Sequence, residues 1–313
     1  PVPPAFGGIT SWTEMGLHYS YKRELKSGVL AVGLTAKYLT GHEAGYFYTD
    51  KRFRMARLPQ NGLTGTPVDL NFAYTHTLFS DSSTPTPFSN GRGLGFDLGL
   101  AWKIDGGAEG YVWKLGISLL DMGSIRFDRA AFRHEIKLDA PGTLNGNSYR
   151  FYDQLSESQA VIDTFTTQLM GSPNASLIEN AFTQGLPSRL SLQADRRISS
   201  KIYLGAILVQ PLRLVKTAIS GGSLLMVAPR YESRLISVSV PLSVYQWDKT
   251  HLGISLRLGP LYLGSDNLLS FSKQPKLSGA DFFAGLRLSP WLFGRDKGLL
   301  SGSIRGNSAC PKF

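Results

Sequence analysis

The sequence is poor in charge and nearly lacks cysteine. Charged residues make up 18% of its 313 residues, below the roughly 25% of an average soluble domain. The single cysteine, Cys310, excludes an intrachain disulfide framework and a cysteine-based structural zinc site. No apolar run reaches the roughly 18 residues that a transmembrane helix needs. These absences exclude disulfide scaffolds and helical membrane proteins.

The composition instead favours a β-protein whose outer surface need not face water. Hydrophobic residues make up 42% of the chain and aromatic residues 11%, which excludes a disordered chain. There are 34 glycines, a share above the roughly 7% of average proteins. With 33 Lys and Arg against 23 Asp and Glu, the formal net charge is +10.

Apolar and polar residues alternate with a period of two, the pattern of β-strands. In the run 28–38, Leu30, Val32 and Leu34 lie on one face, and Thr35 and Lys37 lie on the other. We count ~13 runs, with boundaries uncertain by a few residues. The runs are 12–22, 28–38, a weaker 42–54, 68–75, 94–104, 111–119, 189–194, 201–210, 223–230, 234–244, 251–258, 261–269 and 281–288.

The length of the clearest runs favours a membrane barrel. They hold about ten residues, the length that a tilted strand needs to cross a bilayer. Strands of a soluble sandwich average about 5–6 residues, but a soluble β-sandwich or lipocalin-like barrel remains an alternative. Aromatic residues near run ends fit the girdles of a membrane barrel; they are Trp12, Tyr21, Tyr38, Trp102 and Tyr111. Such barrels have even strand numbers, so we expect a further strand upstream of Pro1 and about 14 in all.

The alternation also assigns the two faces of the barrel. Val32 and its apolar neighbours are predicted to face lipid, whereas the small and polar residues face the lumen. Isolated charges fall on the lumen side, where they are expected to pair with one another. A selective pore lined by these charges is the alternative interpretation. They are Glu14, Lys22, Lys37, Asp97, Lys103 and Lys114.

The segment 123–187 interrupts the period of two. Residues 155–170 are predicted to form a helix because Ile162, Phe165 and Leu169 have helical spacing. Ser172 and Pro173 then predict a second short helix that extends through Phe182. We expect this insert to lie outside the membrane and to pack on the barrel mouth through Ile162, Phe165 and Leu169. It would serve as a plug or as a surface for a partner.

No catalytic, metal or cofactor site emerges from the residues. The five histidines are scattered, and a zinc site would need them clustered. His18 and Ser20 share a strand face, but such a pair is typical of the polar side of a strand. Basic residues lie in turns and in the tail without interleaved aromatics, so a nucleic-acid partner is not expected. The chain is therefore predicted to be non-enzymatic and to bind no cofactor.

Glycine-rich motifs recur along the predicted strands. They are Gly28–Gly41 (G-x-x-x-x-G-x-x-x-K-Y-L-x-G), Gly93–Gly99 (G-x-G-x-D-x-G), Trp113–Gly123 with its D-x-G end, Gly259–Asn267 and Asp281–Leu286. With these motifs the chain resembles a large, uncharacterised family of Bacteroidota outer-membrane barrels, distantly similar to PorP/SprF-type proteins of type IX secretion and, more loosely, to fatty-acid-transporter-like barrels. The resemblance implies an outer-membrane β-barrel and carries no catalytic residue.

The sequence thus predicts an all-β, antiparallel transmembrane barrel over residues 1–290 with the helical insert 123–187. Residues 291–313 are expected to form a basic, periplasmic tail. The predicted role is an accessory or scaffold subunit of a bacterial envelope complex in the outer membrane. A passive or gated channel for small or hydrophobic molecules is the alternative. Outer-membrane lipid, lipopolysaccharide and other envelope proteins are the expected partners.

Overall fold

A computed structural model describes residues 3–76, 89–106, 110–149, 158–233, 235–268 and 281–286. These residues form an all-β, antiparallel fold, as predicted, and contain one α-helix. None of the described helices is long and apolar enough to cross a membrane. The predicted basic tail, 291–313, lies outside the described residues.

The described residues contain 20 strands. The first eleven are β1 (Phe6–Leu25), β2 (Gly28–Tyr48), β3 (Arg54–Leu58), β4 (Gly62–Thr66), β5 (Val68–Thr75), β6 (Gly91–Asp105), β7 (Tyr111–Phe127), β8 (Ala131–Leu138), β9 (Gly142–Asn145), β10 (Leu177–Glu179) and β11 (Phe182–Gly185). The helix α1 (Ser158–Met170) lies between β9 and β10. The remaining strands are β12 (Arg189–Arg197), β13 (Ile202–Pro211), β14 (Leu224–Glu232), β15 (Ile236–Ser239), β16 (Leu242–Tyr245), β17 (Lys249–Leu252), β18 (Ile254–Leu258), β19 (Leu261–Ser265) and β20 (Phe283–Leu286).

The first hairpin is about twice as long as predicted. β1 and β2 pair from Leu25 opposite Gly28 to Phe6 opposite Tyr48, and only Lys26 and Ser27 form the turn. The separate weak strand predicted over 42–54 is wrong, because β2 continues through it to Tyr48. A register shift beside Ser11 lets the long ladder stay paired while its alternation changes phase.

The long strands form a meander in the order β1, β2, β6, β7, β12, β13 and β14. Two broken strands follow, first β15 with β16, then β17 with β18, and the ladder ends with β19 and β20. The predicted runs 234–244 and 251–258 are the two broken strands. The first breaks at Pro241, which has no backbone N–H for the ladder, and the second at Gly253, whose N–H bonds the Pro241 carbonyl at 2.8 Å.

The ladder is open in the described residues. There β1 pairs only with β2, and β20 pairs only with β19. An even number of antiparallel steps separates β1 from β20, so these two strands run in the same direction. Closure into a fully antiparallel barrel would therefore require an odd number of additional strands. The described ladder has eleven strands, because the predicted run 42–54 belongs to β2 and because β5 pairs with β2 and β8 outside the series of long strands. The predicted total of about 14 stays a prediction.

The two faces of the ladder differ as the alternation predicted. Tyr21, Val32, Leu100 and Ile117 lie directly opposite one another across four strands. Their side chains are 57%, 45%, 43% and 44% exposed. On the other face, Gly33, Gly99, Ser118 and Ser191 follow one another across four strands. One face is thus exposed and apolar, and the other consists of small and polar residues.

The second predicted helix does not form. Gly171 ends α1 with a φ of 81°, and the Ser172–Pro173 segment makes turns in which the Ala175 N–H bonds the Ser172 carbonyl. The chain then continues as β10, which pairs with β8, and β11, which pairs with the last residues of β7. Ladder partners offered by β7 and β8 override the local helix signal in this segment.

A compact apolar core lies where these added strands meet β2 and β7. Phe182 on β11 packs against Phe127 and Tyr46, with ring centroids 5.1 and 5.6 Å away. Gln184 is 1% exposed and its amide donates to the Ile9 carbonyl on β1 at 3.3 Å. A Cβ at Gly41 would lie 2.6 Å from the Phe127 ring, so the close approach requires glycine here. The core thus brings β1, β2, β7 and β11 together.

A second, three-stranded sheet consists of β3, β4 and β9. It was not predicted. The helix α1 packs against β9, where Leu169 lies beside Gly142, and the Gln168 side chain accepts the Asn145 N–H at 2.7 Å. Helix α1 itself was predicted, and its described residues fall within the predicted range 155–170.

Candidate functional site: a charged cluster on the polar face

Lys37 is the centre of the most connected charged cluster in the described residues. It lies on the small-residue face of β2, where its side chain is 9% exposed. Its Nζ lies 2.9 Å from Asp97 Oδ2 on β6 and 2.7 Å from Asp121 Oδ1 on β7. Glu14 on β1 is 3.7 Å away. A buried ammonium is tolerated only when charge partners replace its lost hydration, and here three carboxylates surround it.

Asp121 extends the cluster to a further strand. Its second oxygen, Oδ2, lies 3.0 Å from the Arg189 guanidinium on β12. Its backbone N–H donates to Asp97 Oδ1 at 2.8 Å, and its carbonyl accepts from the Ser188 hydroxyl at 2.8 Å. The Lys37 cluster, defined as Glu14, Lys37, Asp97, Asp121 and Arg189, therefore connects β1, β2, β6, β7 and β12.

Sequence reasoning assigned three of these five residues to the lumen face and missed Asp121 and Arg189. By strict alternation, Asp121 would share the exposed face with Leu119. A register shift between Phe96 and Leu98 interrupts the β6–β7 ladder at this point, and Asp121 adopts a φ of 55°. This β-bulge turns Asp121 toward Lys37. The D-x-G pattern at 121–123 was the available signal, because Asp and Gly are the residues that tolerate such backbone angles.

The other charges predicted for this face do not join the cluster. Lys103 pairs with Asp105 at 3.6 Å on the exposed end of β6. The Lys114 Nζ lies 3.9 Å from the centre of the Tyr111 ring. Lys22 is exposed and forms no ion pair with any described residue. The ring nitrogen Nδ1 of His18, which shares a strand face with Ser20, lies 3.0 Å from the Thr35 hydroxyl.

A second charged cluster lies farther along the same face. Arg230 on β14 contacts Asp195 at 2.9 Å and Glu232 at 2.8 Å. The Tyr111 hydroxyl donates to the other Asp195 oxygen at 2.7 Å, and the Arg230 guanidinium lies 5.2 Å from the Tyr203 ring. Opposite charges on this face are thus gathered into two paired clusters.

A family model covers this whole arrangement. It spans residues 7–266, and its description is a family of unknown function, DUF5723. The chain belongs to the DUF5723 family. Comparison with curated proteins and with solved structures finds no significant match. The match therefore identifies the family of the chain, but it assigns no activity to it.

Three charged residues of the glycine-rich motifs meet in the Lys37 cluster of this DUF5723 chain. Lys37 belongs to the stretch Gly28–Gly41, Asp97 to Gly93–Gly99, and Asp121 to the D-x-G end of the following strand. The distances between them are salt-bridge distances. A cluster in which each cation faces a carboxylate can hold strands in register. The described residues also contain no group of His, Cys, Asp and Glu suited to a metal ion.

A third polar cluster attaches the insert of the DUF5723 chain to its sheet. The His134 ring on β8 stacks on Phe72, with centroids 4.7 Å apart. Its Nδ1 lies 2.8 Å from the Ser176 hydroxyl, which is 3.1 Å from the Thr166 hydroxyl on α1. Thr166 is fully buried, whereas the predicted anchors Ile162, Phe165 and Leu169 are half-buried. The helix is thus secured by hydroxyls that the apolar spacing did not indicate.

We predict that Lys37→Met destabilises the fold by about 3 kcal/mol, because the substitution removes the cation from the part-buried Asp97 carboxylate and leaves Asp121 with Arg189 alone. Lys37→Met/Asp97→Asn should recover part of the loss, since Asp121 keeps Arg189. Lys103→Met, which removes an exposed pair, should cost less than about 1 kcal/mol. Urea unfolding of the purified chain measures all three. Equal losses for Lys37→Met and Lys103→Met would contradict a structural role for the cluster.

We also predict that the insert loosens in mild acid. Burial lowers the pKa of His134 below its usual 6.5, although Asp163 on α1 opposes that shift. The folded state therefore prefers neutral imidazole, and its contribution to stability is complete above about pH 6.5 and declines as the pH falls toward the folded pKa. Protection factors of the α1 amides, which are exchange rates corrected for the intrinsic pH dependence, should be lower at pH 5.5 than at pH 7.5. His134→Gln should lose this difference; wild-type protection factors that are equal at both pH values would refute the prediction.

Proposed function

We propose that the chain is a β-barrel of the bacterial outer membrane that acts as a non-enzymatic accessory or scaffold subunit of an envelope complex. The observation that carries the proposal is the contrast between the two faces of the long ladder. One face exposes a continuous apolar surface, and the other carries two clusters of paired opposite charges.

The apolar face supports embedding in a membrane. Large hydrophobic side chains are exposed on consecutive strands, among them Leu17 (79%) and Leu94 (59%). A soluble monomer rarely exposes so extended an apolar surface, because water makes it unfavourable. β1, β2, β6 and β7 contain 20, 21, 15 and 17 residues, more than the roughly 9–11 that a tilted strand needs to cross the hydrocarbon. Basic residues in the turns suit acidic headgroups of outer-membrane lipid and lipopolysaccharide.

The polar face favours a scaffold over a conduit. A conducting lumen needs charges or dipoles that an ion can use, but Lys37, Asp97, Asp121 and Arg230 are all engaged in salt bridges. The apolar core around Phe127 and Phe182 occupies the end of the ladder where the insert attaches. Both features fill space that a channel would keep open. A narrow channel for small or hydrophobic molecules is the competing function.

The folded insert supports a role exercised through other proteins. Helix α1 is held by its own hydroxyl cluster and by β9, and ordering such a segment costs conformational entropy that packing or binding must offset. We propose that other envelope proteins dock at this end of the barrel. A type IX secretion-like complex is the setting that the sequence resemblance implies.

The membrane assignment predicts that Val32→Arg costs about 2–4 kcal/mol of stability in a bilayer, because a charge near the midplane loses its hydration. Ile178→Arg, an exposed position on β10, is the matched control and should change stability by less than about 0.5 kcal/mol. Folding into lipid vesicles followed by urea titration measures both. If Val32→Arg folds as stably as the wild type, the exposed face does not contact lipid.

The scaffold assignment predicts that the wild-type chain reconstituted in planar bilayers shows no steady conductance. Replacing residues 139–175 with a short glycine–serine linker removes β9 and α1 but retains β8, β10, β11 and the apolar core. This shortened chain should still fold, and it should no longer co-purify partners that the wild type retains. Steady selective conductance by the wild type, unchanged in the shortened chain, would instead establish the channel.

A further inference from the structure

The strand β3 and the residues just before it carry a dense group of cations. Lys51, Arg52, Arg54 and Arg57 fall within seven residues, and no acidic residue occurs from there until Asp69. All four side chains are exposed. None forms a salt bridge with a described residue, whereas elsewhere Lys37, Arg189 and Arg230 do. Residues 51–57 therefore form a concentrated positive charge that has no ion-pair partner among the described residues.

β3 is also a free edge. Among the described residues it pairs only with β4, which in turn pairs with β9. All five residues of β3 are exposed, including the apolar Met55 at 54% and Leu58 at 36%. An edge strand of this kind offers a row of unpaired backbone N–H and C=O groups. The geometry that adds a strand to a sheet is therefore available here.

We propose that the β3 edge binds an extended acidic segment of another protein by β-strand addition. Successive side chains of a strand point to opposite faces. Arg54 therefore shares one face with Leu58, and Arg57 shares the other with Met55. Each face thus combines one guanidinium with one apolar side chain. The complementary ligand is a strand with acidic and apolar side chains on both of its faces.

The same charges argue against a second copy of this chain as the occupant. Two β3 edges paired together would bring the arginines of both copies onto one five-residue ladder, where like charges repel one another, most strongly when they lie directly opposite. Arginine at an exposed edge thus prevents self-association, and it leaves an oppositely charged strand as the partner that fits.

The distribution of charge also distinguishes a peptide from a lipid surface. A planar anionic membrane contacts one face of a strand, so a lipid-binding strand would place its cations on that face. Arg54 and Arg57 instead lie on opposite faces. Lipid headgroups also provide no strand that could pair with the backbone edge of β3. The acidic strand satisfies both faces and the edge.

This inference deepens the proposed function, on which it rests in one respect: the β3 surface must lie outside the membrane. It names the chemistry of a partner and places the contact on β3, outside the segment 123–187. Peptide binding and bilayer conductance are separate measurements, so failure of one does not decide the other.

The test uses the purified full chain in zwitterionic micelles and a fluorescent peptide of repeated Val-Glu-Glu-Val units, which has glutamate on both faces of an extended strand. Anisotropy should show saturable binding that weakens as salt rises. A peptide with lysine in place of glutamate should not bind. A glutamate peptide that is N-methylated at every residue should not bind either, because neither of its edges can then pair with β3.

Two charge-matched variants locate the contact. Arg54→Glu/Arg57→Glu should weaken peptide binding about tenfold or more, because two cross-strand charge pairs become repulsive. Arg23→Glu/Arg129→Glu changes the net charge equally at exposed residues outside β3 and should bind like the wild type. Circular dichroism shows whether each variant folds.

Three results would overturn the proposal. The first is equal weakening by the two variants, which would indicate attraction by net charge alone. The second is undiminished binding of the N-methylated peptide, which would exclude strand addition. The third is loss of binding to phosphatidylglycerol vesicles, but not to the peptide, in Arg54→Glu/Arg57→Glu; this result would assign β3 to a lipid surface.

Discussion

The salt bridges between Lys37 and the carboxylates of Asp97 and Asp121 are the constraint on which the ladder depends. A lysine whose side chain is 9% exposed must have its charge compensated, because the free energy of removing an ammonium from water is several kcal/mol. The partners come from β6 and β7, and Arg189 on β12 balances the second carboxylate. Shifting any of these strands by one residue would turn a charge of the cluster toward the exposed apolar face. The cluster thus fixes the register of the first half of the sheet.

This constraint explains how the two faces of the ladder can have opposite character. The exposed face is apolar from Tyr21 through Ile117 and carries no burial requirement within the protein. The opposite face is lined by glycine and serine between two ion-pair clusters. Because specific polar contacts, rather than a central apolar core, hold the ladder, its outer surface is free to meet an apolar environment. The proposal of a membrane barrel rests on this arrangement, in which the exposed face is apolar and the opposite face is polar.

The end of the ladder near β11 is packed like the interior of a soluble protein. There Phe127, Phe182 and Tyr46 pack together, and Gln184 bridges to β1. Helix α1 and the three-stranded sheet are attached beyond this core, and β3 forms an edge of that sheet. The chain therefore combines a ladder with an exposed apolar face and a packed end that carries the surfaces proposed to bind other proteins.

The sequence by itself determined the period of the long strands, the two faces, the helix α1 and three members of the Lys37 cluster. These features are local, because alternation with a period of two or of helical spacing is present in the chain before it folds. The tertiary structure alone decided the remainder. The bulge opposite Asp97 reverses the face of Asp121, and pairing with β7 and β8 converts the predicted second helix into β10 and β11. Both depend on hydrogen bonds to strands that are distant in sequence. A local sequence pattern does not show which backbone N–H and C=O groups of a distant strand are free to pair.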